Sequence, residues 1–464
     1  MGTLQRTCAG LDVHKDTVVA CVRWLDDRDR VHSEVRTFGT TTPDLLQLLD
    51  WPRARQVPIV AMESTGVYWK PLFNLLEGAM EVLLVNPEHI KKVPGRKTDV
   101  KDCAWIAQLL QHGLLKASFV PGRPIRALRD LTRQRTQLTG EKASVANRIQ
   151  KVLEDANVKL GSVASDVLGM SGRDMLRAIV AGQTDGSALA NLARGRLRDK
   201  LPQLRKALTG RVTDHHRFLL RLHLDHLTHL EALIGQLDQR IHQEMEKGRP
   251  PEPPSGEGGA SETVAANAAP APATAVAPRG VPEQPQACQP PPPSDGPRLP
   301  LWSALWLLTT IPGISRRTAE VVVAEIGSDM SRFATGGQLA SWGGLCPGNN
   351  ESAGQRRSGR TVHGNRWLRT ALVQAAWAAS RAKKTYLAAQ YRRVARRRGK
   401  KKALIAVAHT LLVMCYQVLK KGQPYQELGP DYLDQLEPGR RTRQVVRQLE
   451  SLGHKVTLEP NAVA

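Results

Sequence analysis

Apolar residues in the first third of the chain come in short runs that alternate with helical patterns. Ala9-Gly10-Leu11-Asp12-Val13-His14 and the run from Thr17 to Trp24 read as adjacent β-strands, and Val31 to Phe38 as a third. Pro43 then heads a helical pattern through Leu45, Leu46, Leu48 and Leu49. Val57 to Glu63 is short and mostly apolar, as a central strand is, and Ser64-Thr65-Gly66 breaks it. Val67 to Leu76 is helical, Glu81 to Val85 is a second buried strand, and Asn86-Pro87 ends it. After Pro94-Gly95 the hexapeptide Lys97 to Asp102 opens an apolar-periodic run, Cys103 to Leu110. Three strands followed by helix, strand, helix, strand and helix predict an α/β domain with a mixed sheet.

From Arg126 to Asn157 the pattern becomes long, polar and heptad-like, with Leu128, Leu131, Leu138, Val145, Ile149 and Val152 on one stripe. A second such segment runs from Phe218 to Met245. Two long amphipathic helices predict an antiparallel hairpin or a coiled-coil contact between protomers. The histidines His215, His216, His223, His226 and His229 read better as a solvated helix face than as metal ligands. Gly248 to Pro300, dense in Pro, Ala, Gly and Ser, predicts a disordered tether, because it has nothing with which to build a core. Order is expected again at Leu301. The sequence around Ile311-Pro312-Gly313-Ile314 reads as helix, tight turn, helix, similar to a helix-hairpin-helix that presents backbone N–H groups to a phosphate; a purely structural turn reads equally well. A Gly-rich loop, Trp342 to Gly354, is followed by Arg356, Arg357, Arg360, Arg366 and Arg369, an Ala-rich helix, and an apolar helix from Ala403 to Leu419. Beyond Lys421 no distinct pattern is visible, which predicts a poorly ordered tail.

Charge narrows the function. The 464 residues carry a formal net charge of +23, well beyond what solubility needs, so a polyanionic partner, most simply nucleic acid, is expected. The stripe Arg392, Arg393, Arg396, Arg397, Arg398, Lys400, Lys401 and Lys402 fits phosphate contact better than a solvated face. Aromatics, at 4%, are too sparse for base stacking to dominate. The six cysteines include no Cys-x-x-Cys pair, which argues against a zinc site or a disulfide framework and fits a reducing cytosol. No signal-peptide core and no bilayer-length uncharged apolar run is visible, so no membrane partner is expected.

Candidate chemistry gathers on four acids. The element order is that of a ribonuclease-H-like domain, in which the first strand lies centrally beside the next parallel one. Asp12 sits mid-strand among apolar neighbours, where a carboxylate is costly without charge compensation. Glu63 ends its strand at the edge where α/β sheets place ligand groups. Asp99 and Asp102 share a face of the last helix's first turn. The hexapeptide alone, both acids included, reads better as ordinary helix-start chemistry. Four carboxylates at one edge demand hard divalent cations, Mg²⁺ or Mn²⁺, of the kind that activate phosphodiester cleavage.

These residues also carry a family resemblance. Leu11-Asp12-Val13-His14-Lys15, Met62-Glu63-Ser64-Thr65-Gly66 and Lys97 to Asp102 resemble the successive motifs of the DEDD transposases of the IS110 family, including its IS1111 branch. The second half agrees in order: Ile311 to Ile314, Trp342-Gly343-Gly344-Leu345, Ser352-Ala353-Gly354, Gly359-Arg360 and Gly364 to Arg369. The resemblance covers Cys8 to Asn157 and Leu301 to Gly422. It implies a RuvC-like domain over 1–125, a helical coiled-coil domain over 126–247, a linker over 248–300, a mainly α transposase domain over 301–422 and a tail over 423–464. It implies Asp12, Glu63, Asp99 and Asp102 as the metal tetrad, and Ser352 as a nucleophile that forms a 5′-phosphoserine link to DNA. Ser358 stands close enough to compete for that role. A hydroxyl there needs activation by a base or metal, and Arg356, Arg357 and Arg360 would hold the phosphate. The resemblance further implies donor and target DNA chosen through a structured bridge RNA. A homodimer or homotetramer in the bacterial cytoplasm, at the nucleoid, is expected. A RuvC-like junction nuclease that uses water, and a non-catalytic nucleic-acid-binding protein, are the competing readings.

Overall fold

A computed structural model describes residues 5–87, 90, 102–247, 249, 299–348, 350–352, 355–358, 360–361, 363–435 and 438–458. Asp99, the rest of its motif before Asp102, Ala353 and Gly354 lie outside the described residues, as does the predicted tether except for residues 249, 299 and 300. The chain divides into two compact units, Met1–Pro121 and Gly122–Ala464.

The first unit is a five-stranded mixed sheet. Its strands β1 (Thr7–Val13), β2 (Thr17–Leu25), β3 (Val31–Gly39), β4 (Ile59–Glu63) and β5 (Glu81–Val85) lie in the order β3-β2-β1-β4-β5. The first three pair antiparallel, while β1, β4 and β5 run parallel. Alternation along the strands assigns the two faces. Ala9, Leu11, Val13, Val60 and Met62 share one core with Leu45, Leu48 and Leu49 of α1 (Thr42–Ala54) and Leu72, Phe73 and Leu76 of α2 (Trp69–Leu76). Cys8, Ile59 and Ala61 turn the other way, onto Trp105, Ile106 and Leu109 of α3 (Asp102–Gln111). Gly10 is what lets α3 lie so close. A Cβ there would land on the carbonyl oxygen of Cys103 and the backbone nitrogen of Ala107, so any side chain would push the helix off the sheet.

In the second unit two 33-residue helices, α4 (Arg123–Asp155) and α5 (Asp214–Glu246), pack side by side. Asp155 pairs with His216 and Arg135 with Asp238, so the helices run antiparallel. Val145, Ile149, Val152, Leu227 and Leu230 lie in their shared core, which the shorter helices between them complete. The next described elements are α6 (Leu301–Thr309) and α7 (Arg316–Ile326). Their turn holds Gly313 at φ 90°, and a Cβ there would stand 2.6 Å from the carbonyl oxygen of Ala375 in α9 (Arg366–Ala379). That glycine is therefore fitted to a protein neighbour. The first turn of α7 meets acids of α5: Arg316 bonds Glu246 at 3.1 Å and Arg317 bonds Asp238 at 2.8 Å.

The rest is α8 (Gly336–Trp342), a two-stranded hairpin β6 (Asn350–Ser352) and β7 (Gln355–Ser358), then α9, α10 (Tyr386–Arg398) and α11 (Lys400–Lys421). Helix α11 is long and apolar enough to cross a membrane by length and composition alone. Its apolar face is nevertheless occupied by protein: Val407, Leu411, Leu412, Cys415 and Tyr416 are buried, and the Tyr416 hydroxyl bonds the Phe333 and Ala334 carbonyls across 3.0 and 3.1 Å. The tail departs from expectation, since it carries a further helix, α12 (Pro438–Ser451). Its pattern is Arg- and Gln-rich with few apolar positions, and Val445 and Leu449 stand exposed, so no core-facing stripe marks it in the sequence.

Candidate functional site

Two of the four predicted acids meet at one edge of the sheet. The β1–β4 register ends at the pair Leu11 and Met62, so Asp12 and Glu63 each follow by one residue on adjacent parallel strands. Both have the parity of Gly10 and Ala61, which places them on the face covered by α3. Asp102 is the first residue of α3, one residue ahead of the Cys103 carbonyl that rests over Gly10. Asp12 is central because β1 has hydrogen-bonded neighbours on both sides, β2 and β4. The Asp12 side chain is 19% exposed, with His14 Nε2 3.1 Å from its Oδ2. Thr65 Oγ1 donates to Glu63 Oε1 at 3.3 Å. His14 and Thr65 are absent from the sequence-based candidates, although both lie within two residues of a named acid. Among the described residues no three His, Cys, Asp or Glu side chains stand together closely enough to hold a metal ion. Asp99 lies outside the described residues. The donors that are present, carboxylates on neighbouring strands at the open edge, have the hard oxygen chemistry that Mg²⁺ or Mn²⁺ takes.

Two buried thiols of this unit, Cys8 and Cys21, are inert. Burial pushes Cys8 up to about 12 and Cys21 up to about 11, so neither ionises near neutrality.

Ser352 occupies a strand end, where the sequence suggests a flexible loop. It pairs with Gln355 across the tip of the β6–β7 hairpin, and Glu351 pairs with Arg356. Ser358, its competitor, pairs with Asn350 near the hairpin's other end. The base of the hairpin is closed by a bridge between Pro347 and Thr361 and by Gly348 N–H donating to the Arg360 carbonyl at 2.8 Å. Gly364 then packs directly on Gly343 and Gly344, where a Cβ would strike the Gly344 backbone.

Next to this base lies a charged cluster that the sequence does not announce. Asn365 caps α9, its Oδ1 accepting from the backbone N–H of Trp367 at 3.0 Å and of Leu368 at 3.1 Å. Its Nδ2 donates to Glu325 Oε2 at 2.6 Å. Glu325, in α7, is fully buried. It also takes a two-pronged bond from Arg133 of α4, at 2.7 and 2.9 Å, and an ion pair with Arg129 at 3.1 Å. Burial pulls the Arg129 guanidinium down to about 10, against the opposing attraction of Glu325, so it stays charged at neutral pH. One turn earlier, Glu320 bonds Arg135 at 2.6 Å.

The predicted phosphate contacts fall on four elements and the segment after β7. Arg356 and Arg357 are on β7, Arg360 follows it, and Arg366 and Arg369 are on α9, where Arg366 stacks over Trp367 at 4.4 Å. Arg396, Arg397 and Arg398 form the exposed last turn of α10, and Lys400, Lys401 and Lys402 the exposed first turn of α11. Arginines suit a helix C-terminus, but three lysines at a helix N-terminus oppose the macrodipole, and no acid stands in that turn to compensate.

The chain matches two protein-family models. Residues 9–158 match the DEDD transposase model of IS110, and residues 306–392 match the model described as "Transposase IS116/IS110/IS902 family". Among curated proteins it is 32% identical over 136 residues to an "Insertion element IS110 uncharacterized 43.6 kDa protein" of Streptomyces coelicolor, covering 27% of this chain and 31% of that one. It is 31% identical over 124 residues to the pilin gene-inverting proteins of Moraxella bovis and Moraxella lacunata, covering 26% of this chain and 38% of each of those. The matched stretch thus spans about a third of these relatives. With one model on the acid-bearing sheet and the other on the serine-bearing helical region, the chain belongs to the IS110 family of transposases.

Proposed function

We propose that this protein is a DNA recombinase that excises and inserts its own mobile element, through strand cleavage at a serine and a carboxylate-held divalent metal. The observation that carries the reading is the placement of Asp12 and Glu63. They stand side by side, on the α3 face, at the open ends of adjacent parallel strands, inside the segment that matches a DEDD transposase model. A buried structural carboxylate would be consumed by cations of the protein, as Glu325 is by two arginines; among the described residues Asp12 meets His14 and Glu63 meets Thr65, and neither meets an arginine or lysine.

In this reading Asp12, Glu63, Asp99 and Asp102 hold Mg²⁺ or Mn²⁺, which supplies Lewis-acid stabilisation of charge on the phosphodiester oxygens. The Ser352 Oγ attacks phosphorus, an O–P bond to the serine forms, and the bond to the 3′ oxygen breaks. The proton lost by the serine is balanced by the one gained at the released 3′-hydroxyl. The product is a 5′-phosphoserine link, and reversal onto a different 3′-hydroxyl completes exchange. Arg356, Arg357 and Arg360 hold the reacting phosphate by charge-assisted hydrogen bonds. Arg366, Arg369 and the Arg396–Arg398 and Lys400–Lys401 stripe hold the flanking backbone, which is why the lysines tolerate a helix N-terminus. The pilin gene-inverting relatives rearrange DNA by name, which fits a recombinase. We assign donor and target choice to a bridge RNA, and assembly to a homodimer or homotetramer in the cytoplasm, built through the long α4–α5 arm as a coiled coil.

The test uses DNA and RNA taken from the non-coding ends that flank the gene. Reactions of the wild type, Ser352→Ala and Ser358→Ala are stopped and run on a denaturing gel. The expected result is a protein–DNA adduct in the wild type and in Ser358→Ala, and none in Ser352→Ala. A full-strength adduct from Ser352→Ala would refute the assignment, and cutting without an adduct in any variant would establish a water-using nuclease instead.

A further inference from the structure

We propose that Glu325 is a positioning residue for Ser352, tying the base of the serine hairpin to helix α4 through the Asn365 side chain. The proposal rests on the reading of Ser352 as the nucleophile.

Glu325 is fully buried, yet its two carboxylate oxygens serve three partners: Arg133, Arg129 and Asn365. A carboxylate whose only role was to neutralise a buried arginine would need one of them. Arg129 reaches further, donating to the Glu325 carbonyl at 2.6 Å and the Ala324 carbonyl at 3.3 Å, so it grips the C-terminal end of α7 itself. Arg133 also lies over the Trp367 ring, 5.8 Å from its centroid. Two consecutive turns of α4 therefore hold both the end of α7 and the start of α9.

Asn365 is the coupling element because it uses both ends of its amide. The oxygen caps α9 and the nitrogen reaches Glu325. Immediately before it, Gly364 is pressed against Gly344, and a few residues further back the Pro347–Thr361 bridge closes the hairpin. Three residues separate Thr361 of that bridge from Asn365. A shift of Asn365 would be passed to the strand that ends at Ser352. Attack on a phosphodiester needs the nucleophile in line, and a displacement of about 1 Å costs roughly 100-fold in rate.

The cap and the link can be separated. Asn365→Ser keeps an N-cap acceptor but is too short to reach Glu325. Asn365→Asp keeps the cap and sets a second carboxylate against the buried one. Glu325→Gln keeps the shape and weakens both arginine bonds. For each variant the thermal midpoint, the affinity for flanking-end DNA, and the single-turnover rate of adduct formation at saturating DNA are measured. Asn365→Ser is expected to keep the wild-type midpoint and affinity and to lose about 10- to 100-fold in the rate of adduct formation. Asn365→Asp should lose more, and Glu325→Gln combined with Asn365→Ser should be no slower than the slower single change, because both cut the same link. A merely structural role would move the midpoint and leave the rate per bound complex alone. A wild-type rate in Asn365→Ser and in Glu325→Gln overturns the proposal. Cutting without an adduct in the wild type overturns the serine reading on which it rests, a distinct outcome.

Discussion

Two sets of carboxylates in this protein sit in opposite circumstances. At the edge of the N-terminal sheet, Asp12 and Glu63 stand on neighbouring strand ends, where, among the described residues, His14 bonds Asp12 and Thr65 bonds Glu63. In the helical unit, Glu325 and Glu320 are buried and bonded to arginines of α4. A carboxylate that must bind a cation has to keep lone pairs open, and one that holds helices together has to spend them. The contrast separates carboxylates with open lone pairs, the ones we propose for chemistry, from carboxylates spent on architecture, although both kinds lie next to otherwise apolar sequence. It also predicts opposite responses to neutralisation. Removing an architectural acid leaves buried guanidinium groups uncompensated, while removing a chemical one relieves like-charge repulsion.

The largest effect is expected at Glu325. Glu325→Ala leaves Arg129 and Arg133 facing an empty, dry position and should cost about 3–5 kcal/mol of stability, read by denaturant unfolding. A loss below about 1 kcal/mol would show that water enters and that the cluster is not architectural. Asp12→Asn should do the reverse. It should leave stability unchanged or slightly raised, and slow strand cleavage by about 10²–10³-fold, the usual cost of removing one group that stabilises developing charge. If Asp12→Asn unfolds the protein instead, the distinction between the two sets collapses.

A smaller, pH-dependent effect sharpens the same comparison at a third acid. Glu231 of α5 is clamped by Arg173 and Lys142, which hold its carboxyl down to about 2 from its ordinary value of 4.5. A depressed pKa adds stability above the unfolded value and loses it as the folded group protonates. The helical unit should therefore be progressively destabilised between about pH 4.5 and pH 2. With the side chain 28% exposed, screening limits the effect to about 1–2 kcal/mol. Thermal unfolding of the wild type and Glu231→Gln should differ at neutral pH and converge toward pH 2. A constant difference across that range would show that the clamp contributes packing rather than charge.

The sheet was legible because its strands are short apolar runs bounded by turn residues. All five appear within two residues of their expected limits, and α1 and α2 begin within two residues of theirs, while the expected start of the Asp99 helix lies outside the described residues. Asp12 and Glu63 were legible for the same reason, since a charged residue inside or at the end of such a run stands out. The hairpin at Ser352 was not, because Asn-Glu-Ser and Gln-Arg-Arg-Ser carry no alternation of apolar and polar positions. Glu325 was least legible. Its partner Arg133 lies 192 residues away across a linker, and nothing in Val322-Val323-Ala324-Glu325-Ile326 distinguishes a buried acid from one that faces solvent. Long-range ion pairs between helices leave no local period to read.

The central claim, that the sheet-edge acids are kept open for a divalent metal, is tested most directly by metal binding itself. Mn²⁺ is titrated into the full chain and followed by electron paramagnetic resonance, for the wild type, Asp12→Asn, Glu63→Gln and Glu325→Gln. The account predicts bound Mn²⁺ in the wild type and in Glu325→Gln, and a marked weakening in both Asp12→Asn and Glu63→Gln. Undiminished Mn²⁺ binding in Asp12→Asn and Glu63→Gln would contradict it.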